Sequence, residues 1–308
     1  MIDLPPKERR KLGIVGLGMM GEPIADRLAN AGESLVLYDV DRSKTEAVAR
    51  RTGGEAAASL RELGASSDVV ITILPNSAIV GQALFGPGDC TADGLRKGSI
   101  VLEMSSGVPA KTIEFARRLS QNGVAIADAP VSGGVPRAVS GQLTIMAGGE
   151  ADVLDSCEPI LRHLGSTVIR TGTLGSGQAM KALNNLVSAG GFLIAAEAIL
   201  IGEKFGLEPN TIVDVLNAST GMNNSTRNKM KQHVLSRTFA SGFALDLMVK
   251  DLAIAMSIAD EVEMAVPFSK FCHDHWAAAA KSLGAGADHT AMARFAEELA
   301  GKQKKISG

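Results

Sequence analysis

The chain has 308 residues, enough for two domains with a core in each. Hydrophobic residues make up 45% and charged residues 21%, the balance of a water-soluble globular protein. A formal net charge of −2 and a pI near 6.2 exclude the basic footprint of a nucleic-acid or membrane-surface binder.

The opening "MIDLPPKERRKLG" carries charges but no apolar h-region, so no secretory signal is expected. Strand candidates then follow in order: "KLGIVG", "SLVLYD", "DVVITILP", "SIVLEMS", "VAIADAP", "LTIMAGG" and "TVIRTG". Most are continuously apolar, as strands covered on both faces should be. Helical patterns fall between them at Pro23 to Asn30, Ser43 to Arg51, Pro109 to Gln121 and Glu150 to Leu164. Gly32, Gly123 and Gly165 stand where helix C-caps belong. Alternating strand and helix predicts a parallel, doubly wound α/β sheet.

The pattern changes near Thr171, and everything from "GTLGSGQ" onward reads helical. The first helix there, Gln178 to Phe205, would be about 40 Å long. Its segment Leu186 to Gly202 approaches membrane-spanning length. Glu197 inside it and Asn184, Asn185 and Lys204 beside it favour a buried helix of a soluble protein with no membrane partner. The pair Gly190-Gly191 lowers helix stability, so close packing against a neighbour is expected there. Three well-separated cysteines, Cys90, Cys157 and Cys272, form no CxxC pair, so a reducing compartment, the cytoplasm, is expected.

Gly16-x-Gly18-x-x-Gly21 lies between the first strand and the first helix. In that context the first glycine permits a tight turn and the second lets backbone approach a pyrophosphate. The third lets helix and strand pack closely. The loop Gly16, Leu17, Gly18, Met19 and Met20 is thus the candidate cofactor loop, with helix N–H groups facing the phosphates. Asp39 ends the next strand about 20 residues on, as this fingerprint requires. Its carboxylate would accept from ribose hydroxyls and repel a 2′-phosphate, favouring NAD over NADP. Arg42 could soften that preference, and Asp39 could instead serve only as a turn-initiating residue. Residues 1–173 are therefore assigned to a Rossmann-type dinucleotide-binding domain. Residues 174–308 are assigned to an all-α domain for substrate and oligomerisation.

The segment "GIVGLGMMGEPIADRLANAG" resembles the signature of the β-hydroxyacid dehydrogenases. So do "DAPVSGGVPRAVSGQLTIMAGG", "GSGQAMKALNN" and "GFALDLMVKDLAIAM", in the same order and spacing. The resemblance implies an oxidoreductase that interconverts a small 3-hydroxy acid and its semialdehyde with NAD(H), as a homodimer or homotetramer. It places the catalytic lysine at Lys181. A positioned lysine donates to a developing alkoxide and, in reverse, accepts from a hydroxyl if its pKa falls from about 10.4 toward neutrality. Burial and a nearby cation such as Lys250 push that way.

Asn185, at i+4, shares the helix face of Lys181 and can donate to a substrate oxygen, whereas Asn184 points about 100° away. "PVSGG" gathers Ser132, Gly133 and Gly134 into a turn that can grip a carboxylate, or in which Ser132 merely caps a helix. The resemblance puts Leu74, Pro75 and Ser105 on the cofactor, Lys250 beside the nicotinamide and Phe243 near the substrate. Asn76 and Ser105 could instead serve a helix cap and a turn. Lys250 could pair with Asp246, and Asp251 orients or balances it. Pro136 and Arg137 replace the small residues of many members and lean toward a small polar acid, unless Arg137 is simply solvated. The "CHDH" run at Cys272 has no metal-ligand spacing, because His273 and His275 do not share a helix face. Two other readings are an imine reductase, whose sites usually lack the lysine, and a non-catalytic dinucleotide-binding module.

Overall fold

Most apolar runs of the first half become strands buried on both faces, while the last, Thr167–Gly172, is largely exposed. In the computed structural model, which describes residues 4–6 and 9–301, the chain divides into two units, Met1–Lys181 and Ala182–Gly308. The first unit opens with β1 (Lys11–Val15), α1 (Gly21–Asn30), β2 (Ser34–Tyr38), α2 (Arg42–Thr52), β3 (Glu55–Ala56) and α3 (Leu60–Ala65). It continues through β4 (Val69–Thr72), α4 (Ser77–Phe85), β5 (Ile100–Glu103), α5 (Pro109–Ser120) and β6 (Ala125–Asp128). Then come β7 (Val131–Ser132), α6 (Gly134–Ser140), β8 (Thr144–Gly148), α7 (Ala151–Leu164), β9 (Thr167–Gly172) and the start of α8 (Ser176–Phe205).

The strands lie in the order β3-β2-β1-β4-β5-β6-β8-β7, with β9 also on β8. From β3 through β6 all pairs are parallel, and the order reverses between β1 and β4. That reversal is where such sheets open a crevice at their carboxyl ends. Alternate residues go to opposite faces. Leu12, Ile14, Ile71 and Leu102 join one core cluster, while Val15, Val36 and Val70 join another with Leu63. Burying each large side chain stabilises by roughly 1.5–3 kcal/mol.

The far edge departs from the all-parallel expectation, since β8 runs antiparallel to both β6 and β7. The cause is α6, whose seven residues span only about 10 Å. A parallel crossover needs a dozen or more residues to carry the chain back along a strand. Helix α7 is long enough, and β8 and β9 are parallel. Gly165 is the C-cap of α7 as expected, with its N–H on the Leu161 carbonyl at 3.0 Å, but not in the left-handed conformation. It is extended, at φ −136°, against the Leu143 carbonyl.

The second unit is helical: most of α8, α9 (Pro209–Ala218), a π-helical segment Thr226–Leu235, α10 (Leu245–Glu261), α11 (Pro267–Leu283) and α12 (Met292–Leu299). Phe192 of α8 meets Trp276 of α11 edge-on at 5.7 Å in a core shared with Ile199, Val213, Met230 and Leu252. At Gly191 the Asn223 amide donates to the backbone carbonyl at 3.1 Å, and a Cβ there would meet that side chain only at an ordinary 3.4 Å. Gly190 likewise has only ordinary contact, with Phe268 at 3.7 Å, so the close packing expected at this pair is found at neither glycine.

Candidate active site

The three glycines of the first loop have three different surroundings. Gly16 has φ +99°, and a Cβ there would lie 2.5 Å from the Ile73 carbonyl oxygen. A Cβ at Gly21 would lie 1.9 Å from the Gly16 carbonyl oxygen. Around Gly18 nothing lies within 4 Å of the Cβ position, so open space faces the backbone where a pyrophosphate would approach. Helix α1 begins at this loop with no side-chain cap from Met20; its Glu22 N–H goes to the Gly18 carbonyl at 3.0 Å and Pro23 has none, so any anion would be met by the loop's own N–H groups before them. The loop thus fits a dinucleotide, which when bound supplies the hydride.

Asp39 stands half-buried at the end of β2. Its Oδ2 accepts from the Leu17 N–H at 2.7 Å and its Oδ1 from the Asp41 N–H at 2.9 Å. It is therefore bound to the glycine loop and also makes a local turn, while Asp41 caps α2. A carboxylate offers about four lone-pair sites, so it retains acceptor capacity. Arg42 is engaged elsewhere, with Glu46 at 3.0 Å and the Ala57 carbonyl at 2.8 Å.

Leu74 and Pro75 follow β4, and Asn76 caps α4 by accepting from Ile79 N–H at 3.0 Å. Ser105 is 1% exposed. Its hydroxyl accepts from Leu74 N–H at 2.8 Å and donates to the Thr72 carbonyl at 3.2 Å. The hydroxyl ties two loops together and does not point outward. Ser132, Gly133 and Gly134 form a turn with φ +136° and +67° at the glycines. Gly133, not Ser132, is the N-cap of α6, and no side chain caps that helix. The stem of Arg137 lies across Gly133, where a Cβ would be 2.6 Å from its Cδ.

The start of α8 is held by buried groups that motif reading did not single out. Asp128 accepts from Gly175 N–H and from Gln178 N–H, both at 2.7 Å. Its register partner on β5 is Glu103, which accepts from Thr112 Oγ1 at 2.7 Å. Burial pushes Glu103 up to about 8 and Asp128 up to about 6. Their signal was a carboxylate ending an otherwise apolar strand run in "SIVLEMS" and "VAIADAP". Lys181 lies one turn beyond, half-buried on α8.

In the second unit Asn185 is buried, and its Nδ2 donates to Asp251 Oδ2 at 2.5 Å. Asn184 donates to Asn185 Oδ1 at 3.1 Å, as suits a supporting residue. Asp251 Oδ1 lies 3.2 Å from Lys250 Nζ. Lys250 thus faces the carboxylate of its neighbour Asp251, which the sequence had suggested as its balance. Asn185 is oriented by a carboxylate 66 residues away. Phe243 packs edge-on against His289 at 5.5 Å. His289 is buried and accepts or shares a bond with Ser241 at 2.9 Å, and burial lowers its pKa to about 4. His273 bonds Asp274, His275 stacks on Phe271, and among the described residues no group of three or more acidic, His or Cys side chains could hold a metal.

Two family models cover this architecture. Residues 11–172 match the NAD binding domain of 6-phosphogluconate dehydrogenase, and residues 175–296 match the NAD-binding segment of NADP-dependent 3-hydroxyisobutyrate dehydrogenase. The chain belongs to the β-hydroxyacid dehydrogenase family. It is 32% identical to 2-(hydroxymethyl)glutarate dehydrogenase of Eubacterium barkeri, over 94% of this chain and 96% of that protein. It is 33% identical to 2-hydroxy-3-oxopropionate reductase of Escherichia coli, over 94% and 98% respectively. A solved 3-hydroxyisobutyrate dehydrogenase of Mycobacterium tuberculosis with L-serine superposes with a TM-score of 0.84 at 28% identity, covering 93% of this chain and 99% of that one. An imine reductase of Streptomyces aurantiacus shares the fold at 19% identity and a TM-score of 0.62. As a β-hydroxyacid dehydrogenase, this protein is an oxidoreductase of CH–OH groups that uses NAD. The seam between the two matched segments falls where the strands end and α8 begins.

Proposed function

We propose that the substrate is a small 3-hydroxy acid, interconverted with its semialdehyde, and that Lys181 moves the proton. The observation that carries this reading is the arrangement on α8. Lys181 and Asn185 stand one turn apart on a common face, and Asn185 is fixed by the buried Asp251. The amide then has one N–H on Asp251 and a second to offer the reacting oxygen. Lys181 donates to that oxygen as an alkoxide develops, and takes the proton back in the oxidation direction. The Ser132-Gly133-Gly134 turn receives the substrate carboxylate. Its two glycines are exposed, and the Ser132 hydroxyl has no hydrogen-bond partner among the described residues. The engagement of Arg42 with Glu46 and Ala57 supports Asp39 as a selector of NAD over NADP.

The same reading makes the protein a cytoplasmic homodimer or homotetramer. Three buried free thiols suit a reducing compartment. Helix α8 is long and apolar enough to cross a membrane, yet 44% of its most apolar window is buried within the chain. Its exposed residues Val187, Ile194 and Ile201 recur every seven residues, the spacing of a helix seam that a second copy would cover. The test is a panel of small 3-hydroxy acids and their methyl esters, each offered with NAD and NADP. Turnover of an acid with NAD and poor turnover of its ester support the reading. Comparable turnover of acid and ester would remove the carboxylate turn from it.

A further inference from the structure

The proposed chemistry uses Lys181 but none of the buried polar groups that hold its turn of helix. The bonds that do so all lie in the first unit. Asp128 takes the Gly175 and Gln178 N–H groups. The Gln178 side chain reaches the loop after β5, where Nε2 donates to the Ser105 carbonyl at 2.7 Å and Oε1 accepts from Gly107 N–H at 2.8 Å. Ser105 takes the Leu74 N–H on the loop after β4. Gln178 is 1% exposed, so water does not compete for these bonds. A chain of hydrogen bonds therefore runs from two strand-end loops to residue 178. Lys181 follows three residues later, about 4.5 Å along a helix that is stiff over one turn.

We propose that Gln178 is a positioning residue whose amide locks the Lys181 turn of α8 in register with the strand-end loops at Leu74 and Ser105. The inference rests on the reading of Lys181 as proton donor. It explains why an amide stands here. The Ser105 carbonyl needs a donor and the Gly107 N–H needs an acceptor, and one glutamine supplies both. An ionised carboxylate would satisfy Gly107 and face the Ser105 carbonyl oxygen with no hydrogen. Leaving that carbonyl unpaired, or repelled, would swing or loosen the first turn of α8. Lys181 would then miss the reacting oxygen by a distance that catalysis does not tolerate.

Gln178→Glu tests this through pH. The protonated acid reproduces both bonds of the amide, and ionisation removes one. The titratable groups around the position are Glu103 at the end of β5, Asp128 at the end of β6 and Lys181 on α8 itself. The two carboxyl groups favour the protonated form of the variant. Expected is a kcat within about threefold of the parent in acid, falling reversibly by at least roughly tenfold as pH rises, with NADH affinity changed by less than about twofold. Gln178→Met, similar in size and without either bond, should lose roughly 10–100-fold in kcat at every pH. A merely structural role would instead move the unfolding midpoint and leave kcat of the folded fraction intact. A Gln178→Glu profile parallel to that of the parent, or a Gln178→Met enzyme with normal kcat, overturns the proposal. Lys181→Ala assayed alongside separates the two claims. If it is impaired while both Gln178 variants are normal, only the positioning role falls. If it is fully active, the proton-donor reading falls too.

Discussion

Asp128 in the first unit and Asp251 in the second are both buried carboxylates that serve helix α8, but they grip different things. Asp128 takes backbone N–H groups of its first turn. Asp251 takes the side-chain amide of Asn185 and faces the ammonium of Lys250. A backbone grip fixes where the helix starts, and losing it orphans N–H groups whatever the chemistry. A side-chain grip fixes where two functional groups point, and losing it leaves the helix standing. Stability should therefore depend more on the first-unit carboxylates than on Asp251, whose loss should be felt mainly in turnover.

The largest expected effect that would sharpen this contrast concerns Glu103, the strand neighbour of Asp128. Its folded-state pKa is raised by burial to about 8, from 4.5. Folding thus takes up a proton between those values. The stability this group lends is complete below about pH 4.5, falls by about 1.4 kcal/mol per pH unit as pH rises, and is gone above about pH 8. Asp128, raised to about 6, adds the same sign of slope over a narrower window. Glu103→Gln mimics the protonated acid, so its thermal unfolding should be flatter between pH 5 and 9 and its midpoint higher at pH 8. An unaltered slope would place the pH dependence elsewhere.

Next come the two aspartates themselves. Asp128→Asn turns an amide toward backbone donors and should cost about 1–3 kcal/mol in chemical denaturation. Asp251→Asn should cost less stability but lower kcat by roughly 10–100-fold, since Asn185 and Lys250 lose their common anchor. Combining Asp251→Asn with Asn185→Ala should be little worse than the poorer single variant, because both act on one hydrogen bond. Equal loss of stability at both aspartates would dissolve the contrast. The smallest effect is at Asp39. Asp39→Asn should narrow the ratio of kcat/KM for NAD over NADP by about tenfold, or 1.4 kcal/mol. An unchanged ratio would assign the selection to another residue.

Much of this molecule is legible in its sequence because the signals are local. Continuous apolar runs mark β1, β4 and β5, a strand–glycine–helix order marks the loop from Gly16 to Met20 as a candidate for the cofactor, and i,i+4 spacing puts Lys181 and Asn185 on one face. The strands β3 and β7, two residues each, are too short to show any period. The reversed direction of β8 depends on the length of α6, not on the character of β8. Asp251 is adjacent to Lys250, so that pair could be guessed. The bonds from Asp251 to Asn185 and from Gln178 to Ser105 join residues 66 and 73 positions apart, and no pattern along the chain announces them.

The central claim is that Lys181 carries the proton, and Lys181→Ala tests it most directly. Measure kcat at saturating substrate and NADH affinity by fluorescence on the same preparation. The account predicts a kcat lower by roughly 10²–10⁴-fold. NADH affinity should stay within about twofold, because the glycine loop and Asp39 are untouched. A variant with near-normal kcat would contradict it, and the proton would have to come from another group.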